Sequence, residues 1–445
     1  MVLRQRFSTA LTLAALLTVL VAVSQPAYSV LRTLSVYQHP QTISRVQLPR
    51  PGERTDRLIE RLQLRLRERP SDQRTYVELG TAYLQKARET GDPGFYAKAE
   101  DMLAKAFELQ PDDPEAMTAM GTLALARHQF QQALEWGQRA LAVNPSRAAI
   151  YGVLGDALVE LGRYDEAVAA VQHMVDLRPD LASYSRVAYL RELHGDVEGA
   201  IEAMQMAVQA GAPGSEGTAW TQVQLGHLYL TQARLHEAEA AYAAVLRSSP
   251  NYMPALAGLG RVRAAQGHYD EAAKLLRRAS DALPLPEYVI LLGDIYAASG
   301  NGEAAAQQYA LVRAIDRLQR ANGVDTDLEM ALFHADHGVD LEGALARARA
   351  QYGRRPSIHA ADVLAWTLHQ NGACEEGQAY AREALRLGTR DALMHYHAGM
   401  LALCAGDHLA ARTHLEQALA INPSFSIRYA PATRRALADI TDGRL

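Results

Sequence analysis

His334 and His337, in the run Phe333-His334-Ala335-Asp336-His337, stand three residues apart, the spacing that puts two imidazoles on one helix face where they could share a metal ion. His395 and His397 flank Tyr396 and, two apart on a helix, point in different directions. Carboxylates recur in the same third of the chain, at Asp294, Glu329 and Asp336, and a close pair of them could exchange protons. The motifs that usually organise such groups into catalysts are missing. There is no His-Glu-x-x-His, no Cys/His set with zinc-finger spacing, no phosphate-binding Gly-rich loop ending in Lys-Ser/Thr, and no Gly-x-Ser-x-Gly elbow. Gly258-Leu259-Gly260 lacks the third glycine and the preceding strand of a dinucleotide loop. The expectation is a protein that is not an enzyme and needs no cofactor.

What positions these residues is an internal repeat. Units begin near residues 73, 114, 148, 181, 219, 253, 286, 325, 358 and 392, a base period of about 34 with three longer intervals. The eighth place holds a small residue in most units, as at Gly80, Gly121, Gly155, Gly226, Gly260, Gly293 and Gly399. The twentieth does so throughout, from Ala99 and Ala133 to Gly377 and Ala411. Small side chains at both places let two helices approach closely, so Leu332, at the eighth place of unit eight, marks an atypical unit. Prolines at 111, 145, 179, 250, 284, 356 and 423 close the second helix of a unit, because proline cannot continue a helix interior. Between the two helices lie turn signals such as Gly162-Arg163-Tyr164, Gly195-Asp196 and Gly406-Asp407. A hydrophobic content of 49% with only 7% aromatics suits Ala/Leu-rich helix pairs, and no linker divides the chain after residue 71.

This pattern resembles the tetratricopeptide repeat family. Unit three carries the likeness most cleanly, through Leu154-Gly155, Leu158, Gly162, Tyr164, Ala167, Val171 and Pro179. The resemblance spans roughly residues 73–423 and implies an all-α, right-handed superhelical solenoid of about ten helix-turn-helix units. Residues 54–70 resemble the second helix of a half unit, so the solenoid is assigned to 56–423, with a capping helix and tail at 424–445. A narrower likeness, over Pro286–Gly338, is to exported bacterial repeat proteins. In the family, first helices line a concave groove that holds a peptide, an extended segment or a partner helix, and the repeat itself does no chemistry. The expected function is therefore a non-catalytic interaction scaffold or assembly factor.

Carried over place by place, the family pattern turns bland residues such as Thr122 and Asp156 into the groove of the early units. From unit seven onward the same places hold Glu287, Asp294, Glu329, Phe333, Asp336, His337, Asp362, Trp366, His369 and Tyr396. Aromatics beside carboxylates and imidazoles have the composition of a binding hot spot. The competing reading is that Trp366 and Phe333 fill space between helices while the charges are solvated. A metal-handling accessory role is the alternative function, with Asp336, His337, His359 and His369 as the ligand set. The two cysteines, Cys374 and Cys404, fall at the start of unit nine's second helix and the end of unit ten's first helix. Neighbouring antiparallel helices bring those ends together, which makes a disulfide a candidate in an oxidising compartment. Two small buried hydrophobes are the alternative.

The N-terminus reads as export. Arg4 and Arg6 precede an uncharged run from Ser8 to Val23, followed by Ser24-Gln25-Pro26-Ala27-Tyr28-Ser29 with small residues suitably placed for cleavage. Residues 1–29 are thus a signal peptide or a retained membrane anchor, and residues 30–55 a flexible linker. Both versions leave the body secreted, periplasmic or membrane-anchored facing outside the cytoplasm. The net charge is −5, and residues 1–29 carry two arginines and no acid, so their loss makes the chain more acidic still. Nucleic acid and anionic membrane are poor partners for such a surface. A protein or peptide partner is expected.

Overall fold

The computed structural model describes residues 55–444, in which 22 helices follow one another and no strand occurs among the described residues. The expected signal or anchor (1–29) and most of the linker (30–54) lie outside the described residues. The first helix, α1 (Thr55–Glu68), stands alone and packs Ile59 and Leu62 onto the first hairpin. Ten helical hairpins follow. Units one to five are α2 (Gln73–Thr90) with α3 (Gly94–Leu109), α4 (Pro114–Ala126) with α5 (Phe130–Val143), α6 (Ala148–Glu160) with α7 (Tyr164–Leu177), α8 (Leu181–Leu193) with α9 (Val197–Ala210), and α10 (Glu216–Thr231) with α11 (Leu235–Ser248). Units six to ten are α12 (Met253–Ala265) with α13 (Tyr269–Ala282), α14 (Pro286–Ala298) with α15 (Gly302–Ala321), α16 (Asp327–His337) with α17 (Leu341–Arg354), α18 (Ile358–Gln370) with α19 (Cys374–Ala384), and α20 (Ala392–Cys404) with α21 (His408–Ile421). The last helix, α22 (Tyr429–Thr441), has no partner hairpin. Among the described residues, no helix is long and apolar enough to cross a membrane.

Local chemistry explains the hairpins. Asp180 accepts from the backbone N–H groups of Ala182 and Ser183 while Ser183 Oγ accepts from Asp180 N–H, a reciprocal cap that starts α8. Most of the short turns pass through one left-handed residue, glycine at 162 (φ 73°), 195 (φ 76°), 267 (φ 79°) and 406 (φ 80°), while the turn of unit eight has two, Gly338 (φ 66°) and Asp340 (φ 47°). Two units use other residues there, His128 and Ala233, both at φ 57°. The small repeat places serve close approach: a Cβ on Gly226 or Gly258 would sit 2.4 or 2.5 Å from the Tyr242 ring, which is fully buried between them. First helices are covered on nearly every side, and in α18 all residues from Ile358 to Leu368 except His359 are buried. Second helices bury one stripe, as Ala272, Leu276 and Ala279 do in α13, and expose the other to water.

The solenoid coils tightly enough to touch itself. The turn of unit two meets the loop before unit eight: Asp325 N–H donates to Arg127 O at 2.9 Å, and Gln129 Nε2 donates to Gly323 O at 3.0 Å. One unit on, Ile358 N–H donates to Tyr164 Oη at 2.8 Å, and Arg355 reaches Glu160 at 3.3 Å. One further, Thr389 Oγ1 donates to Leu193 O; one further again, Asn422 Nδ2 donates to Leu230 O at 3.0 Å. These partners are all 192 to 198 residues apart in sequence, so a superhelical turn takes close to six units and each turn rests on the one before.

Burial inside this array sets a pH response. Burial, aided by the Arg261 charge, pushes the His227 imidazole down to about 3, where it sits 2.8 Å from Tyr242 Oη. In the unfolded chain it titrates near ~6.5. A depressed folded value contributes stability in full above that pH, and the contribution is lost as pH falls from there towards the folded value, at about 1.4 kcal/mol per pH unit. Thermal unfolding of the protein should therefore worsen on acidification from neutrality, and His227→Gln should flatten the curve. Identical pH slopes for the two proteins would show that the ring is protonated without cost.

Candidate binding groove

Because the coil closes after six units, the first helices of units one and two face those of units seven and eight across its interior. Between them lies a cavity of about 980 Å³. Its apolar lining comes from Leu84 of α2, Ile290 and Leu291 of α14, Val312 of α15, and Met330 and Phe333 of α16. Its charged lining is mostly acidic, Glu287, Asp294, Asp316, Glu329 and Asp336 against Arg88 and His128, with neutral polar groups such as Thr81, Gln85 and Gln319 among them. Arg88 is already engaged, 3.0 Å from Glu216, and the half-exposed Glu329 carboxylate lies 3.4 Å from His128 Nδ1. A concave, mainly apolar space with a few directed polar groups is the usual form of a ligand site.

One wall of the cavity is a convergent cluster. Asp294 is nearly buried, and its Oδ1 lies 2.8 Å from Tyr309 Oη, 3.1 Å from His337 Nε2 and 3.2 Å from Arg428 Nη1. Burial and then the Asp294 charge push the Tyr309 phenol well up, so it stays a proton donor. His337 Nδ1 lies 2.7 Å from Phe333 O, which fixes the ring. Asp336 accepts from Trp366 Nε1 at 2.9 Å and from Tyr429 Oη at 2.7 Å, and its backbone carbonyl accepts from Arg428. Burial pushes the Asp336 carboxyl up from its usual value.

Tetratricopeptide repeat models match this chain at residues 124–193 and 229–295, and at 84–148 and 363–424, together more than half of its length. The chain belongs to the tetratricopeptide repeat family. Among curated relatives, the cellulose synthase 1 operon protein C of Komagataeibacter xylinus is 27% identical over 256 residues, covering 55% of this chain and 17% of that protein. The cellulose synthase operon protein C of Pseudomonas fluorescens (strain SBW25) is 25% identical over 182 residues, 39% of this chain and 14% of that one. The matched stretches thus span about a sixth of the length of these relatives. Among solved structures, a thermophilic tetratricopeptide protein of Thermus thermophilus aligns over 48% of this chain and all of its own, at 23% identity and TM-score 0.37. The Cut9–Hcn1 hetero-tetramer of the APC/C aligns over 85% and 92%, at 15% identity and TM-score 0.37. These two likenesses concern the fold alone.

The tetratricopeptide array distributes the ten groove candidates unevenly. Glu287, Asp294, Glu329, Phe333 and Asp336 line the cavity. His337 sits behind them on Asp294. Trp366 and Tyr396 are buried, 1% and 3% exposed, in an aromatic cluster closed by the cap, with the Tyr429 ring 5.5 Å from Trp366 and 4.7 Å from Tyr396. Asp362 is buried too, and receives His397, whose Nδ1 lies 3.0 and 3.1 Å from its two oxygens. His397 is fully buried and stacked 4.3 Å from Trp366. Burial alone would lower its pKa, but the charges of Asp362 and Asp336 outweigh that and hold it above the ordinary histidine value. Sequence reasoning did not select His397, which stands one place later in unit ten than Asp362 does in unit nine, so the repeat register does not pair them.

The four residues of the alternative metal set do not meet. Asp336 is held by Trp366 and Tyr429, His337 by Asp294, and His359 Nε2 lies 3.4 Å from Tyr189 Oη. His369 stacks on Trp366 with its ring 4.8 Å away, and its Nδ1 lies 3.9 Å from Cys374 Sγ. Burial, then the His397 charge, lowers His369 to about 4. Cys374 and Cys404 are joined in a disulfide, with their Cα atoms 5.9 Å apart. Cys374 is buried at the first position of α19, and Cys404 is exposed at the last of α20. Among the described residues, His369, Cys374 and Cys404 form the one group of three potential metal donors whose ligand atoms converge.

Proposed function

We propose that this chain is a non-catalytic scaffold working outside the cytoplasm, which holds an extended segment of a partner protein between units one and two on one side and seven and eight on the other. The carrying observation is the cavity itself, lined by apolar side chains together with five carboxylates. Its acids favour a segment that offers lysine or arginine beside an apolar anchor. The chain's own terminus supports that preference, since Arg428 places its guanidinium on Asp294 at one margin of the same surface. The disulfide supports an oxidising compartment, as does the apolar run from Ser8 to Val23.

The test is a pull-down from the native envelope fraction, with the chain lacking residues 1–29 as bait, followed by affinity measurement on the captured partner. Ile290→Glu places a charge on the apolar lining at a partly exposed position and should weaken binding at least about tenfold, a cost of ~1.4 kcal/mol. Trp136→Ala, on the outer helix α5 where Trp136 stacks on Phe107, should leave affinity unchanged. Equal affinity for Ile290→Glu and the unaltered chain would place the partner elsewhere.

A further inference from the structure

The disulfide has a neighbour that a purely structural bond does not need. His369 is held flat against Trp366, at 4.8 Å and 16° between ring planes, with Nδ1 aimed at Cys374 Sγ rather than at a carbonyl or carboxylate. The three donor atoms, His369 Nδ1 and the two sulfurs, lie within 4.8 Å of one another. In a tetrahedral zinc site, with metal–sulfur bonds near ~2.3 Å and metal–nitrogen bonds near ~2.0 Å, ligand atoms stand about 3.5–3.8 Å apart. Opening the sulfur–sulfur bond and letting the two sulfurs separate would bring this trio close to that spacing without rebuilding a helix.

We propose that units nine and ten carry a redox-gated site for a thiophilic d10 cation such as Zn²⁺, formed by His369 Nδ1 and the thiolates of Cys374 and Cys404 once their disulfide is reduced. The asymmetry of the bond favours orderly reduction. Cys404 is exposed and Cys374 buried, so a thiolate of a dithiol reductant attacks Cys404 Sγ. The disulfide breaks, and its electron pair leaves on Cys374 Sγ. That sulfur is at the first residue of α19, where unpaired backbone N–H groups favour a thiolate. The reductant's second thiolate then attacks its own sulfur in the mixed disulfide, releasing Cys404 and leaving with its two sulfurs joined. Two electrons pass from reductant to protein. The cation replaces the protons of the two thiols, which go to solvent, and takes the imidazole lone pair as third donor. The fourth position stays open to water or to a donor from a partner. The cavity between units one, two, seven and eight takes no part in this site, so the proposal stands apart from the scaffold reading.

The experiment uses the full chain without a His tag, oxidised or reduced with a phosphine and desalted anaerobically, and titrates Zn²⁺ against a chromophoric chelator. Co²⁺ is the spectroscopic probe, because thiolate ligation gives it a charge-transfer band in the near ultraviolet. The reduced chain should bind one Zn²⁺ and the oxidised chain none at this site. Cys374→Ser and Cys404→Ser should each abolish binding and the Co²⁺ band. His369→Ala should weaken Zn²⁺ at least about tenfold while keeping two titratable thiols and an unchanged helical melt. A reduced, folded chain that binds no Zn²⁺ overturns the proposal. So does a His369→Ala variant with undiminished affinity, or stoichiometric zinc in the oxidised chain that His369→Ala removes.

Discussion

Gly162→Ala is expected to lower the stability of the array by about 1–3 kcal/mol more than Gly267→Ala, although the two glycines hold the same place in their hairpins. Both are left-handed, at φ 73° and 79°, so an added Cβ strains each backbone by roughly 1 kcal/mol. Their surroundings differ. A Cβ on Gly267 meets nothing within 4 Å, whereas one on Gly162 would lie 2.3 Å from Pro356 O and 2.8 Å from its carbonyl carbon. Those are backbone atoms of the next superhelical turn, so relief requires the two turns to part. The bond from Ile358 N–H to Tyr164 Oη and the reach of Arg355 to Glu160 would go with them. Gly195→Ala, 2.3 Å from Gly388 O, should behave like Gly162→Ala. Denaturant unfolding of the three variants, with hydrogen exchange at Ile358, reads the outcome. Equal losses for Gly162→Ala and Gly267→Ala would mean that stacking of the turns contributes nothing to stability.

The second large effect is expected from Asp294→Ala. This carboxylate takes Tyr309, His337 and Arg428 on a single oxygen and so ties the cap to units seven and eight. Its loss leaves the guanidinium of Arg428, about one-third exposed, without its counter-charge. Breaking a buried ion pair from one side costs about 3–5 kcal/mol, and the partial exposure of Arg428 puts the expected loss near ~3 kcal/mol. Because the cap rests on this contact, proteolysis within α22 should accelerate well before the rest of the array unfolds. A cap as protected in Asp294→Ala as in the unaltered chain would show that Tyr429 on Asp336 suffices to hold it.

The repeat register was legible because it rests on local sterics. Gly155 and Ala167 admit close helix contact, Pro179 ends a helix, and helices begin within three residues of every unit start read from the sequence, the largest offset being Glu216 against 219. The pitch of the coil was not legible. It sums small rotations over six units, some lengthened, as unit seven is by the 20-residue α15, and no local pattern reports that sum. Leu84 and Arg88 therefore gave no sign that they would face Ile290 and Met330. The cap was legible as a helix but not as a lid. Trp366 and Tyr396 hold groove places by the family pattern, yet Tyr429 lies over both, so these aromatics are packed where the pattern alone leaves them open.

The recurring interval of 192 to 198 residues between these loop contacts also changes what the array tolerates. In an open solenoid, losing or gaining one unit alters length and little else. Here, deleting a single hairpin between units three and eight would slide every later loop one place along the turn beneath it. Gly162 would then face the loop meant for Gly195, and Tyr164 would lose Ile358 as its donor. Copy number is thus locked as a reading frame is locked. Folding inherits the same constraint, since these pairings form only after six intervening units are in place, and closure of the coil must be a late, slow step.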